Sequence, residues 1–182
     1  FTVGVIWAIV RRYIQRPYRI RIKTKAEHGV ILGTFLAIGI TGFVAEGFRI
    51  AVDGMPDYEK FSFIGYPLAT AFDGMSASAV STWHQWSWIA HVVSFVVFLA
   101  ILPVTMLRHV FTSPLNMYLR DKDRPKGAMK PMPNLMETEL ESFGASVVED
   151  FTWKQLLDTD ACTMCGRCTS VCPAHATGKP LD

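Results

Sequence analysis

All four cysteines of this 182-residue chain fall in one short stretch, at Cys162, Cys165, Cys168 and Cys172, with Pro173 directly after the last. The spacing is C-x2-C-x2-C-x3-C-P. Thiolates at such intervals can curl round one face of a cubane while the N–H groups of the loop donate to its sulfurs, so the run has the ligand pattern of a 4Fe–4S cluster. Two rival chemistries fit less well. No cysteine lies outside the run for a disulfide to staple, and zinc patterns pair two separated C-x2-C units or add histidines. In two-cluster ferredoxins the cysteine before the proline ligates the other cluster rather than the one its neighbours hold. By that rule Cys162, Cys165 and Cys168 bind one cluster and lack a fourth ligand, and Cys172 binds a second. The chain ends ten residues after Cys172, which leads us to expect more of the same polypeptide beyond it. Its start, FTVGVIWAIV with no initiator Met or signal-peptide layout, reads as the last turns of a hydrophobic helix begun upstream.

Histidines form the second set of candidate ligands. His91 and His109 are eighteen residues apart, which on a continuous helix is five whole turns and about 27 Å of rise, so both imidazoles would share a face. That suits axial ligands for two haems, one near each surface of a bilayer, because ionisable groups within a span are usually functional. The other reading of His109, at the edge of the apolar stretch, is headgroup contact. His28 could complete an inner site at the same depth, yet its neighbours Lys23, Lys25 and Glu27 suit a solvated histidine. His84, seven residues before His91, would sit outside the hydrocarbon. The partners of His91 and His109 are therefore expected on a helix outside this chain. His175 and Lys179 flank the cysteines as exposed loop residues rather than ligands.

The elements that must carry these residues are read from hydropathy and charge. Half of the residues are hydrophobic and 19% are charged, a balance that suits membrane helices joined to polar segments rather than one soluble core. Residues 1–10 are apolar and are followed by Arg11, Arg12, Arg16, Arg19, Arg21, Lys23 and Lys25. A basic run between two apolar segments matches the positive-inside rule rather than a nucleic-acid patch, so it is placed in the cytoplasm. Residues 29–45 carry no charge, and a span is expected over 28–52, with Gly33, Gly39 and Gly42 allowing close helix contact. Glu46 and Arg49 are spaced to pair near its far end, marking the interface or, alternatively, a quinone or proton site. Residues 53–87 form a periplasmic segment in which the apolar stretch 63–72 is too short to span and lies on the membrane or caps the helices. Trp83, Trp86 and Trp88 read as an interfacial belt. A second span is expected over 88–109, through Pro103, which membrane helices tolerate. Arg108 and the basic residues after it return the chain to the cytoplasm. The first 120 residues are thus a membrane domain. Residues 121–150 are a cytoplasmic linker, extended over the Pro- and Met-rich 124–135, with a short helix over 137–142. Residues 151–182 begin the cluster domain, where Thr152 caps a helix over 151–158 that buries Trp153, Leu156 and Leu157.

Taken together, GFVAEGFRIA (42–51), the His91 to His109 interval followed by FTSPLN, FGASVVEDFTWKQLLD (143–158) and ACTMCGRCTSVCPAHATGKPL (161–181) resemble the fused membrane iron–sulfur oxidoreductases. In that family a nitrate-reductase-gamma-like haem b domain precedes a heterodisulfide-reductase-D-like iron–sulfur domain, and the resemblance covers nearly the whole chain. It implies an all-α membrane bundle, present in part, followed by the first half of an α-helical two-cluster ferredoxin-like domain. It also implies that His91 and His109 are haem b ligands, that His28 is not a ligand, and that the ligand-bearing partner helix lies upstream.

The activity so implied is electron transfer in a bacterial inner membrane, with the cluster domain on the cytoplasmic side. The donor in such proteins is reduced electron-transfer flavoprotein and the acceptor menaquinone; one or two b haems and two 4Fe–4S clusters carry the electrons. Two other readings stay open: a quinol-linked enzyme acting on a disulfide or sulfur compound, and a haem-free anchor and docking module.

Overall fold

The computed structural model describes residues 1–123, 134, 136–137, 145 and 147–179, and among these every regular element is helical. The linker expected over 124–135 and the helix over 137–142 fall outside the described residues except for Asn134 and Glu137. The chain divides into two compact units, Phe1–Met106 with Met164–Asp182, and Leu107–Thr163. This grouping differs from the expected domain boundaries: the loop carrying three of the cysteines groups with the apolar helices.

The first unit begins with α1, Thr2–Ile9, which continues as a π-helical segment over Val10–Gln15. Arg16 adopts a left-handed conformation (φ 46) and Pro17 follows, so the helix stops there. A single-turn helix, α2 at Tyr18–Arg21, leads to α3 at Ala26–Val52. The expected span over 28–52 therefore matches α3 to within two residues. A further short helix, α4 at Gly65–Ala71, precedes α5 at Ala77–Ile101, whose first turn is capped by Ser76 accepting from the Ala79 N–H at 3.3 Å.

Helices α3 and α5 pack antiparallel, since partners on α5 descend in number as those on α3 rise: Phe35 with Phe98, Thr41 with His91, Phe48 with Trp83. Small residues set these approaches. A Cβ at Gly39 would lie 2.6 Å from Thr2 Oγ1 of α1, and one at Gly42 would lie 3.3 Å from His91 Cε1, whereas Gly33 faces open space. The apolar stretch around α4 does cap the bundle: Phe72 stacks on Phe48 with ring centroids 4.0 Å apart, and a Cβ at Gly47 would meet Leu68 Cβ at 2.8 Å. The expected Glu46–Arg49 pair is replaced by others. Arg49 binds Glu59 at 2.7 Å and Asp53 at 3.3 Å, and Glu46 accepts from Ser62 Oγ at 2.8 Å. The short 3-10 turn Asp57–Phe61 brings Glu59 into reach, which spacing along one helix face did not anticipate.

Helices α3 and α5 are both long and apolar enough to cross a membrane. They bury little of that surface: Ile40, Phe95, Val96 and Leu99 are each about half exposed. Apolar faces of this extent are stable against lipid rather than water. The second span is shifted from its expected position, running Ala77–Ile101 instead of 88–109. The tryptophans lie on the helix itself. Pro103 lacks the N–H for the ladder and its ring opposes the carbonyl four residues back, so the helix ends there although Leu102 keeps helical geometry (φ -58, ψ -50). A turn follows, then a 3-10 turn at Met106–Arg108. His91 and His109 thus occupy separate helices, and the five-turn argument for a shared face does not apply.

In the second unit, α6 at His109–Tyr118 packs on α7 at Trp153–Asp160. The expected cap is present: Thr152 Oγ1 accepts from the Gln155 N–H at 3.3 Å, and Gln155 Oε1 accepts from the Thr152 N–H at 2.8 Å. The expected burial is not. Trp153 and Leu156 are exposed, because the contact between α6 and α7 is made by polar side chains.

Candidate metal centres

Each unit carries its own share of the cysteine run. Cys162 follows α7 in the second; Cys165, Cys168 and Cys172 belong to the first, where α8 spans Arg167–Val171 and α9 spans Pro173–Ala176. In the second unit α6 secures the end of the helix that delivers Cys162. Thr112 Oγ1 donates to the Asp160 carbonyl at 3.1 Å, Ser113 Oγ donates to the Ala161 carbonyl at 2.9 Å, and Arg108 pairs with the Asp160 carboxylate at 3.1 Å. These bonds satisfy carbonyls that a helix C-terminus leaves open. Lys154 Nζ adds bonds to Asn116 Oδ1 at 2.5 Å and to Asp158 Oδ1 at 2.6 Å. Lys154 first, and then the Asn116 amide, hold the Asp158 carboxyl below the usual carboxylate range.

In the first unit the loop turns through two left-handed residues, Met164 (φ 50) and Gly166 (φ 73). All four cysteines are thiols rather than half-cystines, and Cys162, Cys165 and Cys168 are exposed. Among the described residues no three His, Cys, Asp or Glu side chains are gathered as a metal-binding group. The donor chemistry nonetheless fits a thiolate-ligated cluster: four accessible thiols, with tight left-handed turns in the loop they share. Tyr18 Oη lies 2.8 Å from His175 Nε2, and Arg19 Nε donates to the Cys165 carbonyl at 2.9 Å. His175, expected as an exposed loop residue, lies instead on α9 and is half-buried against Tyr18.

His91 is placed at mid-length of the antiparallel pair. Thr41 Oγ1 donates to the Ala37 carbonyl at 2.6 Å and lies 3.1 Å from His91 Nδ1, an arrangement in which it can accept an Nδ1–H, with Nε2 then the ring's lone-pair nitrogen. Gly42 is the residue that makes room for the ring. These features fit an axial haem ligand. His109 is the first residue of α6.

His28 departs from its expected solvated state. It is 3% exposed, its Nδ1 lies 3.1 Å from the Lys25 N–H, and its Nε2 has no hydrogen-bond partner. Packing of the first helix beside it, with Tyr13 Oη 3.0 Å from a Cβ at Gly29, accounts for the difference. At the opposite end of α3 a cavity of about 310 Å³ is lined by residues including Val52, Met55, Phe72, Asp73, Met75 and Val80. Nothing in the sequence marked it.

A 4Fe–4S binding domain model matches residues 153–174, which include α7 and all four cysteines. The EtfAB:quinone oxidoreductase of Syntrophomonas wolfei is 38% identical over 191 residues, covering 99% of this chain and 26% of that protein. The chain is homologous to a segment of that oxidoreductase. A second relative, the probable iron–sulfur-binding oxidoreductase FadF of Bacillus subtilis, is 30% identical over 182 residues, covering 99% of this chain and 25% of the relative. A probable membrane-anchored ferredoxin of Chromohalobacter salexigens is 45% identical over 64 residues, or 35% of this chain and 7% of the relative. The chain thus spans about a quarter of the length of the two oxidoreductases. No solved structure matches it.

Proposed function

We propose that this chain is the membrane electron-transfer segment of a larger quinone-linked oxidoreductase in a bacterial inner membrane. Electrons pass from a soluble cytoplasmic donor, reduced electron-transfer flavoprotein, by way of 4Fe–4S clusters and haem b to menaquinone. The observation that carries this reading is the match of the cysteine run to a 4Fe–4S domain within the same chain as two apolar helices of spanning length. The name of the Syntrophomonas relative, EtfAB:quinone oxidoreductase, supports the choice of donor and acceptor.

The roles follow from the residues. Cys162, Cys165 and Cys168 would hold one cluster and Cys172 the second, and His91 and His109 would ligate haem. When bound, these groups would carry electrons one at a time, which lets a two-electron flavin oxidation and a two-electron quinone reduction be coupled over a distance. Thr41 fixes the His91 tautomer, and Gly42 keeps its ring in place. The seven basic residues between Arg11 and Lys25 offer an acidic donor an attractive cytoplasmic face. Along α3 the order is favourable. The loop of Cys165 contacts the segment before its N-terminus, and the Thr41–His91 contact lies about 23 Å further along. The cavity at its C-terminal end is about 15 Å beyond that and has room for a quinone ring, with Asp73 as a proton-exchanging group.

The test uses the full-length complex in lipid vesicles with reduced electron-transfer flavoprotein and menaquinone. Flavoprotein oxidation should proceed in step with b-haem absorbance and stop in Cys165→Ser. A complex with full iron and haem content that leaves the flavoprotein reduced would reject this donor. A spectrum with no b-type signal would reject the haem assignment.

A further inference from the structure

The basic segment between the first helix and α3 has so far been a charged face, yet the structure gives it a second contact. Three separate observations within the first unit join α2 to the cysteine loop. Arg19 Nε donates to the Cys165 carbonyl at 2.9 Å. Tyr18 Oη and His175 Nε2 are 2.8 Å apart, with the Arg21 guanidinium 5.7 Å from the Tyr18 ring centroid. Gly166 is buried under the segment: a Cβ there would lie 2.5 Å from the Arg19 carbonyl oxygen and 3.1 Å from Lys23 Cγ. The glycine is thus required twice, by φ 73 and by the approach of backbone.

We infer that α2 is the seat of the cluster loop and that Arg19 is a positioning residue which also sets the cluster's potential. The inference rests on the cysteine run holding a cluster. Arg19 reaches the peptide unit between Cys165 and Gly166. A charge-assisted bond to its oxygen makes the N–H of the same unit a stronger donor, since linked hydrogen bonds polarise one another. Cluster potentials respond to hydrogen bonds at the sulfurs and to net charge nearby. One-electron reduction adds a negative charge, so a guanidinium beside the loop favours the reduced form. Tyr18 and His175 hold the far end of the loop, beyond Cys172, to the same helix.

The experiment is a redox titration of the reduced-cluster EPR signal in the full-length protein, with iron content measured in parallel. Arg19→Gln should retain iron and shift the midpoint to lower potential, Arg19→Lys should restore part of the shift, and Arg11→Gln, which removes a charge from the same run away from the loop, should leave it unchanged. Tyr18→Phe should speed iron loss to a chelator. An unshifted midpoint in Arg19→Gln at full iron content overturns the inference. If Arg19→Gln loses its iron, Arg19→Lys decides: iron retained there supports the seat, and iron lost there too overturns the charge argument. A wild-type protein with no 4Fe–4S signal would overturn the inference and the proposed function together; a wild-type signal with unresponsive variants overturns the inference alone.

Discussion

At the residue scale, the functional side chains are held by partners that matter as much as the ligands. Thr41 is the clearest example. With its hydroxyl hydrogen on the Ala37 carbonyl, it can act toward His91 as an acceptor. An acceptor on Nδ1–H makes an imidazole a more basic ligand. Thr41→Val should therefore keep the b-type absorbance while moving its midpoint to higher potential, read by optical redox titration; an unmoved midpoint would remove Thr41 from the haem environment. Residue identity made the cysteines legible at once, because four thiols at those intervals have few other uses. It misjudged His28, because polar neighbours in sequence say nothing of a helix packed across from them, and burial here comes from the first helix.

At the scale of elements, capping and polar contact organise the second unit. Substituting Thr152 by Ala removes a side-chain cap and should destabilise α7 by about 1 kcal/mol. Thermal unfolding followed by far-UV dichroism, alongside the rate of iron release, checks this. Asp158 gives the same contact a pH dependence. Its folded pKa is depressed by Lys154 and then Asn116, so its contribution is present above the unfolded carboxylate value and is lost as pH falls through the lower folded one. The carboxylate is about half exposed, so the effect is small. Asp158→Asn should flatten the acid limb of stability measured between about pH 5 and pH 2, and an unchanged acid limb would show the pair contributes nothing. These elements were partly readable: the Thr152 cap follows from a sequence rule, and α3 from an uninterrupted apolar stretch. The extent of α5 was not. Three tryptophans suggest an interface and Pro103 is tolerated in many spans, so hydropathy alone could not tell that the helix starts earlier and stops at Ile101. The FTSPLN segment resisted reading for another reason: its hydroxyl and amide partners lie 38 to 48 residues further along the chain.

At the scale of the molecule, apolar helices and polar loops divide the labour of insulation and exchange. With few residues of α3 and α5 buried, the chain should stay in the membrane pellet through alkaline carbonate and leave it only with detergent. Release by carbonate would mean that these faces are covered by protein instead. Sidedness is tested separately: after iron is removed, a membrane-impermeant maleimide should label the cysteines in inverted vesicles but not in spheroplasts.

The contact between Arg19 and Cys165 joins residues 146 apart in the chain. During synthesis, α3 and α5 emerge from the ribosome well before residue 165 does, so lipid insertion comes first in time and iron loading late. A nascent chain arrested ahead of Cys162 would then be integrated without its iron–sulfur clusters, and the machinery that builds them would meet a substrate already anchored in place.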